Sequence, residues 1–188
     1  RARANKTPVD WTGYTPPVPK FLGRRVFRNF DLAELADYID WGPFFQTWDL
    51  AGPYPAILTD EVVGVQATQV QADGRAMLKR LIEGRWLTAN GVVGFYPANC
   101  VADDDIALYT DESRSQVAMT WHGLRQQTEK QAVNGVMRPS RCLSDFIAPA
   151  GQAADYIGMF AVTAGIGAEK REKLFDEQLD DYSSIMFK

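Results

Sequence analysis

From Ala56 to Glu83 apolar or small residues recur every three or four positions, through Val63, Ala67, Val70, Gly74, Met77 or Leu78, and Leu81, and beyond Trp86 that period disappears. The first spacing puts one stripe along a long helix, with Gly84 as its C-terminal stop. The residues after Trp86 have the period of strands. Val92, Val93, Phe95 and Tyr96 form a short β-like run after the turn Ala89-Asn-Gly91. Ile106-Ala-Leu-Tyr109 then faces Gln116–His122 across the polar turn Asp111–Arg114, which predicts a hairpin. Tyr156–Thr163 is the strongest strand signal in the chain. A long helix followed by hairpin-connected strands defines an α+β chain, with a twisted antiparallel or mixed sheet flanked by helices.

The remaining elements bracket this frame. A first helix is expected from about Asp31 to Asp40, with Asp31 as N-cap, Glu34 completing a capping box, and Leu32, Leu35 and Ile39 on one face. Trp41–Trp48 is dense in aromatics and punctuated by Gly42 and Pro43, and Gly52–Pro55 reads as a turn. Cys142–Pro149 holds another short apolar piece. A final helix is expected from Ala168, carrying Phe175, Leu179, Tyr182 and Met186 on one stripe. The stripe is still running at Ile185–Lys188 with no Gly, Asn or Pro to end it, so the expectation is a fold incomplete at the C-terminus.

Composition narrows the function. The 188 residues are 46% hydrophobic and 23% charged, enough for a well-buried core. A net charge of −4 argues against nucleic-acid binding, which needs a positive surface. The longest nearly uninterrupted apolar run, Ile157–Ala168, is well short of the roughly 20 residues of a membrane helix. The N-terminal residues lack the apolar core of a secretion signal, and two cysteines, Cys100 and Cys142, suit a reducing cytoplasm better than a disulfide framework. Residues 1–25 hold four of the ten prolines and six basic residues against one acid, and read as an interdomain linker, with a domain over residues 26–188.

Several residues could carry chemistry. Gly165-x-Gly167 leads from a strand into a helix, as in a phosphate-binding turn, yet Lys170 occupies the place of the third glycine and no ribose-binding acid comes after it. His122 is the lone histidine and lacks the companions of a catalytic triad, so it reads as structural. Asp103-Asp-Asp105 could offer oxygens to a hard cation, but lacks the spacing of a calcium loop and reads as a solvated turn. Asp180-Asp-Tyr182 reads as the polar side of a helix. The cluster Tyr38–Phe45 places Asp40 among four aromatics at the expected end of a helix, where the macrodipole does not favour a carboxylate. Asp40 could cap the turn at Pro43, or hold a cationic group such as an amine while rings cover an apolar part or a sulfonium.

Six segments in order carry a resemblance. They are Tyr38-Ile-Asp-Trp-x-Pro-Phe-Phe45, Trp48-x-Leu-x-Gly-x-Tyr-Pro55, Gly91-Val-Val-Gly-x-x-Pro-Ala-Asn99, Leu124-Arg-Gln-Gln127, Leu143-x-Asp-Phe-x-Ala-Pro149, and Ala154-Asp-Tyr-Ile-Gly-x-Phe-Ala-Val-Thr163. Together they resemble the C-terminal activation domain of cobalamin-dependent methionine synthase. Trp11-x-x-Tyr-Thr-Pro-Pro17 resembles the linker after that enzyme's cobalamin-binding domain. The resemblance implies a module that binds S-adenosylmethionine for reductive methylation of cob(II)alamin, in an enzyme moving a methyl group from 5-methyltetrahydrofolate to homocysteine. It implies cobalamin held mainly by a neighbouring domain, and a flavodoxin or flavoprotein reductase as electron donor. Asp40 falls on the family's S-adenosylmethionine-binding aspartate. The family's Arg-Pro-x-x-Gly-Tyr motif is not found in residues 1–188, so the resemblance implies a chain truncated before it, with half of the pocket missing and no catalytic competence alone. The alternative is a non-catalytic interaction module that docks a flavoprotein or corrinoid protein.

Overall fold

The computed structural model describes residues 1–188 and divides into two compact units. One comprises Arg1–Arg25 with Val92–Phe160, the other Val26–Gly91 with Ala161–Lys188. Strand β1 (Gly23–Phe27) is followed by helices α1 (Leu32–Ala36), α2 (Trp41–Thr47) and α3 (Gly64–Glu83). Strands β2 (Thr88–Val101), β3 (Asp105–Tyr109), β4 (Val117–His122), β5 (Ala132–Val133), β6 (Val136–Met137) and β7 (Asp155–Ile166) come next, then α4 (Ala168–Glu177) and α5 (Asp181–Phe187). The five-stranded sheet has the order β1-β2-β3-β4, with β7 also on β2, and β5 and β6 form a separate two-stranded ribbon. The α+β class expected from the change of period is the one observed. No helix is long and apolar enough to cross a membrane.

The helical unit is built on the predicted stripe. Ala67, Val70, Gly74 and Met77 are among the buried positions of α3, and Ala67 and Val70 join Trp41, Phe45, Leu50 and Ile57 in one core. Phe45 is completely buried. A Cβ at Gly74 would lie 2.7 Å from Phe44 Cζ, so this glycine lets α3 approach the aromatic face of α2.

Helix boundaries depart from the sequence expectation in a common way. The helix expected over 31–40 ends at Ala36, and a second begins at Trp41 with Asp40 as its N-cap. The helix expected from Ala56 is a 3₁₀ turn over Ala56–Thr59, then α3 from Gly64, because Asp60 Oδ1 accepts the Val62 and Val63 N–H groups. The last helix breaks at Leu179, which takes φ 55° and is 88% exposed rather than on the stripe. Asp180 then caps α5 by accepting from the Ser183 N–H at 3.0 Å. Asp180 is therefore a cap and not part of a helix face. In each case a short carboxylate side chain offers the backbone an alternative to continuing a helix.

The strand unit matches the predicted hairpin. Strands β3 and β4 pair antiparallel with Ile106 opposite Trp121 and Leu108 opposite Met119. Strands β2 and β3 pair antiparallel with Cys100 opposite Ile106. The run read as short, Val92–Tyr96, lies within the 14-residue β2. Ala98, Ile106 and Leu108 form the core here, with Tyr96, Trp121, Ile147, Ile157 and Met159 packed against it. The 3₁₀ turn Leu143–Phe146 takes the place of the short apolar piece near Cys142.

Two glycines of this unit face aromatic rings. A Cβ at Gly158 would lie 2.9 Å from Phe95 Cε1, and one at Gly94 2.7 Å from Tyr96 Cε2. Phe95 is itself held edge-on by Phe21 at 5.2 Å between centroids, so its ring has little room to turn away. Gly158→Val is expected to destabilise the protein by about 1–3 kcal/mol, the usual cost of overpacking. Thermal unfolding checks this, and a variant melting with the wild type would show that the ring yields.

Candidate functional site

Asp40 stands at the N-terminus of α2, the reverse of the helix end expected from sequence. Its Oδ1 accepts the Gly42 N–H at 2.9 Å, and Pro43 sits in the first turn, where its missing N–H leaves no helix bond unmade. The macrodipole therefore favours the carboxylate. The aromatics do not surround it as a cage. Trp41 and Phe45 are buried, and Phe44 packs against the same core. Tyr38, 82% exposed, is the aromatic of the cluster left in solvent. Asp40 is itself exposed, and its Oδ2 accepts no hydrogen bond from the protein, so one oxygen holds the helix while the other is open to a donor.

Four polar residues of the other resemblance segments, Asn99, Arg125, Asp145 and Asp155, turn inward. The Arg125 Nη1 and Nη2 donate to Asp145 Oδ2 and Oδ1 at 2.8 and 2.6 Å, and the two side chains are 3% and 1% exposed. Arg125 Nε also donates to Asp104 Oδ1 at 2.8 Å, and Nη1 to the Ser140 carbonyl at 2.7 Å. Burial pushes the Asp145 carboxyl up, but the Arg125 guanidinium and the Cys142 and Thr7 N–H groups outweigh it and hold the pKa below the ordinary carboxylate value. The hydrogen bond from Arg125 to Asp145 raises the guanidinium pKa in turn. Nearby, Asn99 Nδ2 donates to the Ala148 and Ala153 carbonyls, and Asp155 Oδ2 accepts the Ala148 N–H at 2.8 Å. The sequence alone assigns these polar residues no task. Their separation along the chain hides the pairing, and only the mixture of Arg, Asp and Asn within apolar segments hints at it.

The other candidates resolve as structure. His122 Nδ1 lies 3.1 Å from Asp105 Oδ2 at the end of β4. The Asp103–Asp105 turn is more than a solvated one, since Asp104 faces both Arg125 and Arg3, and Asp103 faces Lys6. No group of three or more His, Cys, Asp or Glu residues is arranged to hold a metal ion. Arg114, in the predicted hairpin turn, reaches back to donate to the Ala98 and Asp155 carbonyls and to Asn99 Oδ1. Gly167 takes φ 102° between β7 and α4, so the glycine pair serves a strand-to-helix turn.

The chain combines an α+β architecture of two units with an exposed aspartate that caps α2. The family described as "Vitamin B12 dependent methionine synthase, activation domain" matches residues 31–188, and the chain belongs to it. The chain is also similar to a crystal structure of the MetH reactivation domain bound to AdoHcy, at 47% identity and a TM-score of 0.83. That match covers 99% of this chain and 55% of the other, so the chain spans just over half the length of the structure it matches.

The buried pair has a measurable signature. Asp145→Asn is expected to cost about 3–5 kcal/mol, because Arg125 is left as an uncompensated buried charge. Since folding lowers the Asp145 pKa, its contribution is complete above the unfolded value near 3.8 and is lost as pH falls through the folded value. Urea denaturation at pH 7 reads the loss, and as pH falls below the unfolded value the variant should lose stability less steeply than the wild type.

Proposed function

We propose that this chain is the S-adenosylmethionine-binding part of the activation module of a cobalamin-dependent methionine synthase, the methyltransferase that passes a methyl group from 5-methyltetrahydrofolate to homocysteine. The observation that carries this reading is the 47% identity, across 99% of the chain, to a reactivation domain bound to AdoHcy. AdoHcy, S-adenosylhomocysteine, is what S-adenosylmethionine becomes once its methyl group has left. In this reading residues 1–25 join the module to a cobalamin-binding domain, and a flavodoxin or flavoprotein reductase supplies the electron that reductive methylation consumes. Two free thiols, Cys100 and Cys142, are compatible with a reducing cytoplasm.

Asp40 is the residue to which we assign ligand contact. The open Oδ2 suits the ammonium of an amino-acid ligand, and S-adenosylmethionine when bound supplies an electrophilic methyl group on its sulfonium sulfur. Asp40 orients the ligand and neutralises its positive charge; it takes no part in bond making. A charge-assisted hydrogen bond contributes about 1.5–3 kcal/mol, whereas micromolar binding needs about 8 kcal/mol. Asp40 is thus one contact among several.

Asp40→Asn separates the two roles of the side chain, because asparagine caps a helix as well as aspartate does but carries no charge. In the intact enzyme the variant is expected to weaken S-adenosylmethionine binding about ten- to a hundredfold and to lose reactivation. Turnover primed with methylated cobalamin should stay near normal. Steady-state assays with and without a reactivating system check this, and equal loss of both activities would count against the assignment.

A further inference from the structure

We propose that residues 1–11 form a strap, releasable by salt, that closes a cavity beside the Arg125–Asp145 pair. The strap is fastened to opposite charge, beginning with Arg1 Nη2 at 2.7 Å from Glu129 Oε1. Arg3 Nε lies 3.2 Å from Asp104 Oδ2 and Lys6 Nζ 3.5 Å from Asp103 Oδ1. Between these pairs the Ser140 N–H donates to the Asn5 carbonyl at 2.7 Å, and Asn5 Nδ2 donates to the Arg138 carbonyl at 2.9 Å. The Thr7 N–H donates to Asp145 Oδ2 at 3.4 Å. Together these bonds seat Lys6, Pro8 and Trp11 over Cys100, Ser144 and Asp145, around a cavity of about 270 Å³. Thr7 Oγ1 is buried there without a hydrogen-bond partner.

The strap and the segment it covers differ in how they are held. None of residues 1–15 is fully buried, and the apolar hold on the strap is the half-buried Trp11 at the cavity wall. Its ion pairs place the Arg3 and Lys6 side chains 70% and 53% in solvent, where salt screens them. Beneath it, Ser140, Arg125 and Asp145 are buried. Arg125 grips both oxygens of Asp145, so losing the longer Thr7 bond leaves that pair intact. Opening is therefore local, of the kind that hydrogen exchange resolves from global unfolding, and it uncovers the cavity.

Hydrogen exchange of the 188-residue chain tests this at two amides. The Ser140 N–H is bonded to the strap, whereas the Cys100 N–H, though beneath it, is bonded to the Ala148 carbonyl at 3.0 Å and keeps that bond when the strap lifts. Raising salt from about 0.05 M to about 1 M, where the screening length falls to about 3 Å, is expected to speed Ser140 exchange at least about fivefold relative to Cys100. A chain carrying Arg1→Ala, Arg3→Ala and Lys6→Ala should exchange as fast at low salt and respond no further. Ser140 protection that equals that of Cys100 and ignores salt would show residues 1–11 to be a fixed part of the fold. A Ser140 amide unprotected at low salt would show the strap unseated. Either result overturns the proposal.

Discussion

The two-point contact between Arg125 and Asp145 is the interaction on which the strand unit depends. It joins the chain after β4 to the 3₁₀ turn at Leu143–Phe146 with both oxygens and two guanidinium nitrogens engaged. Arginine suits the position as lysine would not, since its planar fork also reaches Asp104 and two carbonyls while remaining charged. Buried charges are tolerated only when paired and fully hydrogen-bonded, and here each guanidinium nitrogen has a partner. The pair also braces the Ala102–Asp103 turn, where both residues adopt left-handed backbone angles, φ 48° and 68°. Asn99, Arg114 and Asp155 complete the same polar framework on the neighbouring strands.

The helical unit is held by the opposite means. Phe45, Ile57 and Trp41 bury apolar surface against α3, and burial of this kind contributes about 1.5–3 kcal/mol per large side chain. That core sets how α2 is turned. With Trp41 and Phe45 inward, the capping residue before them has no room inside, and Asp40 is left exposed with one free oxygen. The exposed carboxylate is thus a consequence of core packing.

Several residues in the segments that carry the family resemblance hold the fold together. Arg125, Asp145, Asn99 and Asp155 bond to one another's segments inside the strand unit, and Gly94 and Gly158 make room for rings. Asp40 differs from them in being open to solvent. Family membership over residues 31–188 therefore speaks first for the architecture, and the functional reading rests on one carboxylate together with a similar structure bound to AdoHcy.

The sequence by itself determined the class of fold, the buried stripe of α3 and the β3–β4 hairpin, because these arise from periods of apolar residues that the backbone geometry repeats locally. It pointed to Asp40 through a family resemblance, while chemistry alone left cap and ligand site open. Where helices begin and end was decided only in three dimensions. Asp40, Asp60 and Asp180 look alike in sequence, and whether such a residue rides on a helix face or accepts backbone N–H groups at a break depends on which neighbouring side chains the core admits. The pairing of Arg125 with Asp145 belongs to the tertiary structure for the same reason. Nothing periodic links two loops 20 positions apart, and their bond exists because folding brings the two segments side by side, the Gln126 N–H donating to the Arg141 carbonyl.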